Sequence, residues 1–218
     1  MTKLATEPEA YRMGWVPFIH TEIYLDSRPL IPRTETEYWV DLAIKEIKGH
    51  VDTRCPHVLD LCAGSGCIGV AVLKEIPEAR VDFAEIETAH HDTIRKNILK
   101  NGINDSRTRI FSGDLFENIT DKYDFIFSNP PYINPELKHR VQDSVTEHEP
   151  ENALYGGRSG LEIINKILNQ ASHYLNPGGT LYIEHEPEQV ETLSKHPLYL
   201  NSENDQYKTI RFSRFRNI

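Results

Sequence analysis

The sequence predicts an α/β fold: a mainly parallel seven-stranded sheet with helices on both faces, closed by a C-terminal antiparallel hairpin and preceded by a short N-terminal β-arm. Three observations predict it. Short β-prone runs alternate with helical apolar periods from residue 57 to residue 184, the pattern of βα units in a parallel sheet. After the last unit, residues 198–200 and 207–215 form two β-prone runs around the polar turn Asn201 to Asp205, which predicts the hairpin. The length, 218 residues, fits one large domain with a small appendage, here residues 1–33 as arm and 34–218 as the main domain.

In chain order, the stretch through Arg33 mixes Pro17, Pro29 and Pro32 with the runs Phe18-Ile19 and Glu22 to Leu25, and reads as a small hairpin. A helix is expected from Thr34, where Thr34 and Glu37 spell a capping box, with Trp39, Leu42, Ala43 and Ile47 on one face and Gly49 as the stop. Strands follow at 57–61, 80–85, 109–112, 123–128 and 180–184. Helices are expected from about Cys67 to Glu75, from Thr88 to Lys100 with Ile94, Ile98 and Leu99 apolar, and from Ser159 to Tyr174. Asn176 to Gly179 is expected to be a turn.

Composition narrows the function. With 24 Lys and Arg against 33 Asp and Glu the net charge is −9, which argues against non-specific binding to nucleic acid, whose affinity comes mainly from cations displacing counterions. A basic protein partner suits this charge better. No run approaches the roughly 18 apolar residues of a membrane span. The first fifteen residues carry Glu7 and Glu9 without an apolar block, so neither a secretory signal nor a transit peptide is expected. Cys55, Cys62 and Cys67 make no even disulfide set, and reduced thiols in a cytoplasmic protein are the expectation.

The strongest local signal is Val58-Leu59-Asp60-Leu61-Cys62-Ala63-Gly64-Ser65-Gly66-Cys67-Ile68-Gly69, a strand turning into a helix through small residues that let a ligand approach the backbone. Gly64, Gly66 and Gly69 match a dinucleotide fingerprint literally, and a tight turn without a ligand is the plain alternative. Asp60 separates the readings. A carboxylate there repels a pyrophosphate and attracts the ammonium group of S-adenosyl-L-methionine. Glu85, ending the second strand, is placed to accept from both hydroxyls of a ribose, whichever nucleoside is bound. Asp114 is placed to accept from an adenine amino group with Leu115 against the ring, although a simple turn cap explains Asp114 equally well.

Asn129-Pro130-Pro131-Tyr132 follows the fourth strand directly. Prolines there sacrifice ladder donors, so the turn needs another reason. The Asn129 side-chain oxygen and the Pro130 carbonyl can accept both hydrogens of a planar amine or amide, with Tyr132 against its face. Such a grip positions and polarises a poor nucleophile without a strong base. Glu147-His148-Glu149 and Glu184-His185-Glu186 lack the helical spacing of a His pair, and adjacent residues on a strand face opposite ways, so no metal site is expected. His90 and His91 on a helix are expected to be solvent-exposed.

The spacing Asp-x-x-x-Gly-x-Gly resembles the first motif of Rossmann-like S-adenosylmethionine-dependent methyltransferases, with Cys62 at the position of their first glycine. Leu30-Ile31-Pro32-Arg33-Thr34-Glu35-Thr36-Glu37, Asn129 to Tyr132, and Glu149-Pro150 through Ala153-Leu154-Tyr155-Gly156-Gly157 with Gly160-Leu161 resemble the HemK-type protein-(glutamine-N5) methyltransferases, from about Glu7 to the C-terminus. That resemblance implies methylation of the Gly-Gly-Gln glutamine of class 1 peptide chain release factors. It implies that Asn129, Pro130, Pro131 and Tyr132 hold the glutamine, and that Asp60, Leu61, Cys62, Ala63, Gly64, Glu85, Asp114, Leu115 and Asn129 line the cofactor site. Residues 34–218 are then the catalytic domain. Thr34 stands where the family usually has Pro, and Cys62-Ala63 replaces the common Gly-Thr. The family's N-terminal helical domain is not expected here, and a helper subunit replacing it is one expectation. The Asn-Pro-Pro-Tyr turn is shared with amino-methyltransferases on DNA or RNA bases, the alternative activity. A cofactor-fold subunit of a methyltransferase complex is the non-enzymatic alternative, and a nicotinamide-dependent dehydrogenase is the weakest.

Overall fold

The computed structural model describes residues 6–50 and 55–217; the first five residues of the arm and Ile218 lie outside them. A short helix α1 (Glu9–Met13) ends at Gly14, whose φ of +80° closes the turn into a hairpin of β1 (Trp15–Phe18) and β2 (Thr21–Tyr24). The hairpin is stapled to the main body. Phe18, Ile23 and Leu25 are buried in the main core, and two asparagines, Asn97 within the helix 91–100 and Asn101 capping its end, act as a surrogate strand along β2. Asn97 accepts from the Tyr24 N–H at 2.8 Å and donates to its carbonyl at 3.1 Å, while Asn101 does the same for Glu22 at 3.0 and 2.9 Å. These bonds satisfy backbone groups that a two-stranded ribbon would otherwise leave open.

The helix α2 (Thr34–His50) begins where its pattern predicts but without the expected capping box. Thr34 Oγ1 donates to its neighbour Glu35, and Glu37 Oε1 accepts from the N–H of Ile19, at the tight hairpin corner where φ is +51°. A backbone donor at that corner outcompetes the helix end for the carboxylate. Gly49 does not stop the helix, which runs on to His50; residues 51–54 lie outside the described residues. A single Gly near a helix end costs only about 0.5–1 kcal/mol, too little to terminate it alone.

The sheet then builds from β3 (His57–Leu61), α3 (Cys67–Glu75), β4 (Arg80–Glu85), α4 (His91–Lys100), β5 (Thr108–Ser112) and β6 (Tyr123–Ser128). Two short helices, α5 (Asp143–His148) and α6 (Glu151–Leu154), lead to α7 (Glu162–Tyr174), β7 (Leu175–Glu184), the single turn α8 (Val190–Leu193), β8 (Tyr199–Asn204) and β9 (Ile210–Arg216). The strand order is β5-β4-β3-β6-β7-β9-β8, parallel from β5 to β7 and antiparallel through β9 and β8. The pleat sorts side chains between two cores. Val58, Val81, Phe83, Phe127 and Tyr182 face α2, α3 and α4, whereas Leu59, Leu61, Ile126, Leu181 and Ile183 face α7. Trp39 lies stacked on Phe127 and Phe212 at centroid distances of 5.9 and 5.6 Å. No helix among the described residues is long and apolar enough to cross a membrane.

Four local expectations are corrected. Asn176 to Gly179 is an irregular part of β7 rather than a separate turn, because Gly178 and Gly179 bond to Asn217 beside them. The C-terminal turn lies at 205–209, not 201–205: Asp205 Oδ1 accepts from the N–H groups of Tyr207 and Thr209, a closure the preceding asparagines do not make. The helix expected from Ser159 starts at Glu162, since Ser159 and Gly160 have φ of +58° and +68°. Leu99 is 63% exposed, off the apolar face kept by Ile94 and Ile98.

Candidate active site

The strand order reverses between β3 and β6, and in open α/β sheets ligands bind outside the carboxyl ends of the strands at such a point. Three strand ends converge there: β3 enters the loop Cys62 to Gly66, β4 ends in Glu85, and β6 runs into Asn129. The loop is pinned to β4 by the Ala63 N–H on the Ala84 carbonyl at 3.1 Å. A Cβ on Gly64 would meet only open space, so the backbone is bare toward the cleft. Gly69 serves packing instead, since a Cβ there would strike the Phe83 ring and Val81. Cys62 holds φ +63°, a left-handed conformation that costs a side-chain-bearing residue roughly 1–2 kcal/mol. Burial pushes its thiol up, away from reactivity.

The cleft, about 200 Å³, is lined by Cys62, Gly64, Glu85, Asp114, Leu115 and Asn129 among the expected residues, and by Pro131. Leu61 and Ala63 are buried beneath it, and Pro130 is buried in the turn. Asp60 also lies beneath the surface rather than on it, 1% exposed. Its Oδ2 accepts from the Gly69 N–H at 2.8 Å, and Oδ1 is buried with no partner. Burial, with the nearby Glu85 charge adding to it, pushes the Asp60 carboxyl up to about 8. The Glu85 carboxylate accepts from the Gly64 N–H at 2.7 Å and the Glu87 N–H at 2.8 Å, which leaves further lone pairs on both oxygens.

The expectation that His90 is solvent-exposed is overturned. His90 is 7% exposed, bonds Ser27 Oγ at 2.8 Å and lines the cleft. Leu30, Ile86, Asn152, Ala153 and Ile163 also line it and were not singled out individually as cofactor contacts; Leu30 and Ala153 lie in the quoted family segments, and Ile86 follows Glu85 directly.

Asn129 joins this cleft to a second groove, lined by Leu30, Arg33, Tyr132, Ile133, Val145 and Leu154. The intervening turn is braced from behind. A Cβ on Gly156 or Gly160 would collide with the Pro131 and Tyr132 backbone, and Gln189 Nε2 donates to the Tyr132 carbonyl at 2.9 Å. Glu149, 5% exposed, holds the strap before α2 by accepting from the Ile31 N–H at 2.9 Å and from Arg33 at 2.5 Å. Asn129 Nδ2 donates to Thr36 Oγ1 at 3.2 Å, and Tyr132 hydroxyl donates to Glu184 at 2.9 Å. Glu184 and His185 face opposite ways: His185 Nε2 lies 2.6 Å from Ser213 Oγ. Among the described residues, His57, Asp82 and Asp121 form a cluster of metal-ligating types at the far end of the sheet, where Arg109 bonds both carboxylates.

Comparison with known proteins identifies the family. The Methyltransferase small domain family matches residues 40–151. The chain is 37% identical to a release factor glutamine methyltransferase of Rhodopirellula baltica over 206 residues, covering 93% of this chain and 68% of that one. It is 38% identical to the release factor glutamine methyltransferase of Geobacter sulfurreducens, covering 86% and 63%. The chain thus spans about two thirds of the length of these relatives. Among solved structures, the hMettl16 catalytic domain superposes with a TM-score of 0.71 at 14% identity over 92% of this chain and 77% of that one. The Thermus thermophilus 16S rRNA methyltransferase RsmC gives 0.62 at 18% over 94% and 50%. At these identities the likeness is one of fold.

Fold and cleft together define a Rossmann-like, S-adenosylmethionine-dependent methyltransferase. The bare backbone at Gly64, the free lone pairs of Glu85 and the orphaned oxygen of Asp60 fit a cationic nucleoside. Within that class, the chain belongs to the release factor glutamine methyltransferase family.

Proposed function

We propose that this protein transfers a methyl group to the side-chain amide nitrogen of a protein glutamine, that of the Gly-Gly-Gln motif in a class 1 peptide chain release factor. The observation that carries the reading is the position of Asn129, which lines both the cofactor cleft and the adjoining groove. Its Nδ2 is already committed to Thr36, so its Oδ1 is the atom left to accept from an incoming amide. Cys62, Gly64, Glu85, Asp114 and Leu115 would hold the cofactor, with Asp60 beneath them. When bound, the cofactor supplies a methyl carbon made electrophilic by a positively charged sulfur. Asn129 Oδ1 and the Pro130 carbonyl accept the two amide hydrogens, which concentrates the nitrogen lone pair and aims it. With the cofactor bound, the nitrogen would form its new bond to carbon as the carbon–sulfur bond breaks, the bonding pair returning to sulfur to leave a neutral thioether, and the nitrogen would shed one proton to water. Positioning and fixed dipoles do this work. In this reading residues 1–33 are an arm and 34–218 the catalytic domain.

The test is incubation with radiolabelled S-adenosylmethionine and a release factor. Label is expected on the wild-type factor and lost when the Gln of Gly-Gly-Gln is changed to Ala. Asn129→Ala is expected to lose at least about a hundredfold in kcat while binding the cofactor nearly as well. Label persisting on the Gln→Ala factor, or appearing on oligonucleotides instead, overturns the reading.

A further inference from the structure

An asparagine amide is nearly the same shape either way round, yet only its oxygen can accept a substrate N–H. What decides the orientation of Asn129 lies outside the cleft. The Trp39 indole N–H, which can only donate, meets Glu184 Oε2 at 2.7 Å. The Thr36 hydroxyl meets the same oxygen at 2.7 Å, and the Tyr132 hydroxyl meets Oε1 at 2.9 Å. Glu184 is 1% exposed and Thr36 1% exposed, so water does not substitute for these partners. Accepting from all three, Glu184 takes the single proton of Thr36. Thr36 then shows Asn129 only lone pairs, and the Asn129 NH₂ group must face it.

We propose that Thr36 and Glu184 are positioning residues for methyl transfer: the chain Glu184–Thr36–Asn129 locks the amide polarity of Asn129 so that Oδ1 faces the cleft. The same carboxylate holds Tyr132, so one buried group anchors both ends of the Asn-Pro-Pro-Tyr turn. The activity arm of this inference rests on the glutamine reading above. The polarity itself does not.

Two measurements separate them. In the glutamine assay, Thr36→Val keeps shape but removes the acceptor, and kcat is expected to fall about 10- to 100-fold with KM and cofactor Kd changed less than about twofold. Thr36→Ser is expected to retain at least about a third of wild-type kcat, and Thr36→Ala serves if the valine variant does not fold. Without any substrate, the Asn129 side-chain ¹⁵NH₂ resonances, assigned with Asn129→Ala, are expected to coincide in wild type and Thr36→Ser and to move in Thr36→Val. Unmoved resonances in Thr36→Val, or kcat within about twofold of wild type, overturn the proposal. So does a Thr36→Ser variant as impaired as Thr36→Val. A wild-type protein inactive on the release factor sinks the glutamine reading alone, and the resonances still judge the relay.

Discussion

Asp60 and Asp82 lie on adjacent parallel strands, β3 and β4, and both are nearly sealed from water, 1% and 2% exposed. Their surroundings are opposite. Asp82, toward the amino ends of the strands, accepts two bonds from Arg109 at 2.9 and 2.5 Å and one from Tyr123 at 2.9 Å, and the His57 ring lies 2.9 Å away. Burial alone would raise its carboxyl, but His57, Arg109 and Tyr123 outweigh burial and hold it below the usual range. Asp60, toward the carboxyl ends, has one backbone N–H and no cation, and is held well above that range. The larger surface cavity, about 660 Å³, lies at the Asp82 end, against about 200 Å³ for the cleft. Size therefore does not locate the site. The unpartnered Asp60 oxygen distinguishes the cleft end instead, since perturbed carboxyls gather at functional sites.

The largest expected effect is on stability at the satisfied end. Asp82→Ala strands Tyr123 and Arg109 and should cost about 2–3 kcal/mol in urea unfolding, at the low end because Arg109 is half exposed. Cofactor affinity, read by calorimetry, should stay within about twofold. A loss of affinity matching the loss of stability would break the division between the two ends.

Asp60→Asn should do the reverse. It is expected to weaken the cofactor about tenfold, or about 1.4 kcal/mol, while stability at neutral pH changes by less than about 1 kcal/mol. Burial favours the neutral form of this carboxyl in the free protein, so the neutral amide replaces it at little cost.

The two groups also predict opposite pH slopes. Asp60 is raised from 3.8 to about 8, so the stability it contributes is complete in acid and is lost as pH rises between those values. Asp82 is lowered, so its contribution is present above its ordinary value and is lost as pH falls through the lower folded one. Cofactor affinity should climb with pH toward about 8 in wild type and flatten in Asp60→Asn. A flat wild-type profile would show that Asp60 does not act on the cofactor.

The smallest effect is expected at Cys62. Relief of its left-handed strain in Cys62→Gly, roughly 1–2 kcal/mol, is largely offset by the extra freedom of an unfolded glycine, so thermal unfolding should shift by less than about 1 kcal/mol equivalent. A larger stabilisation would mean that the loop is more strained than its backbone angle indicates.

Much of the architecture is legible in the sequence, because it follows from periodicity: the βα alternation, the arm hairpin and the C-terminal antiparallel pair all recur in the fold. Boundaries moved where a side chain found a partner no period announces, as Asp205 did in closing the last hairpin and Glu37 did in leaving the helix end for Ile19. His90 shows the same limit at the site. Its helix looks polar in sequence, and its partner Ser27 comes from the arm, 63 residues away.

From its sequence alone, this protein had its strand-to-helix loop, its acidic strand ends and its rigid Pro-Pro turn, since each is a matter of a few neighbouring residues and the chemistry they can offer. Tertiary structure alone placed Asp60 beneath the cleft rather than in it, and brought Thr36 to Asn129 across 93 residues and to Glu184 across 148. Hydrogen-bond polarity and desolvation depend on which groups are packed together in space, and no local pattern encodes that.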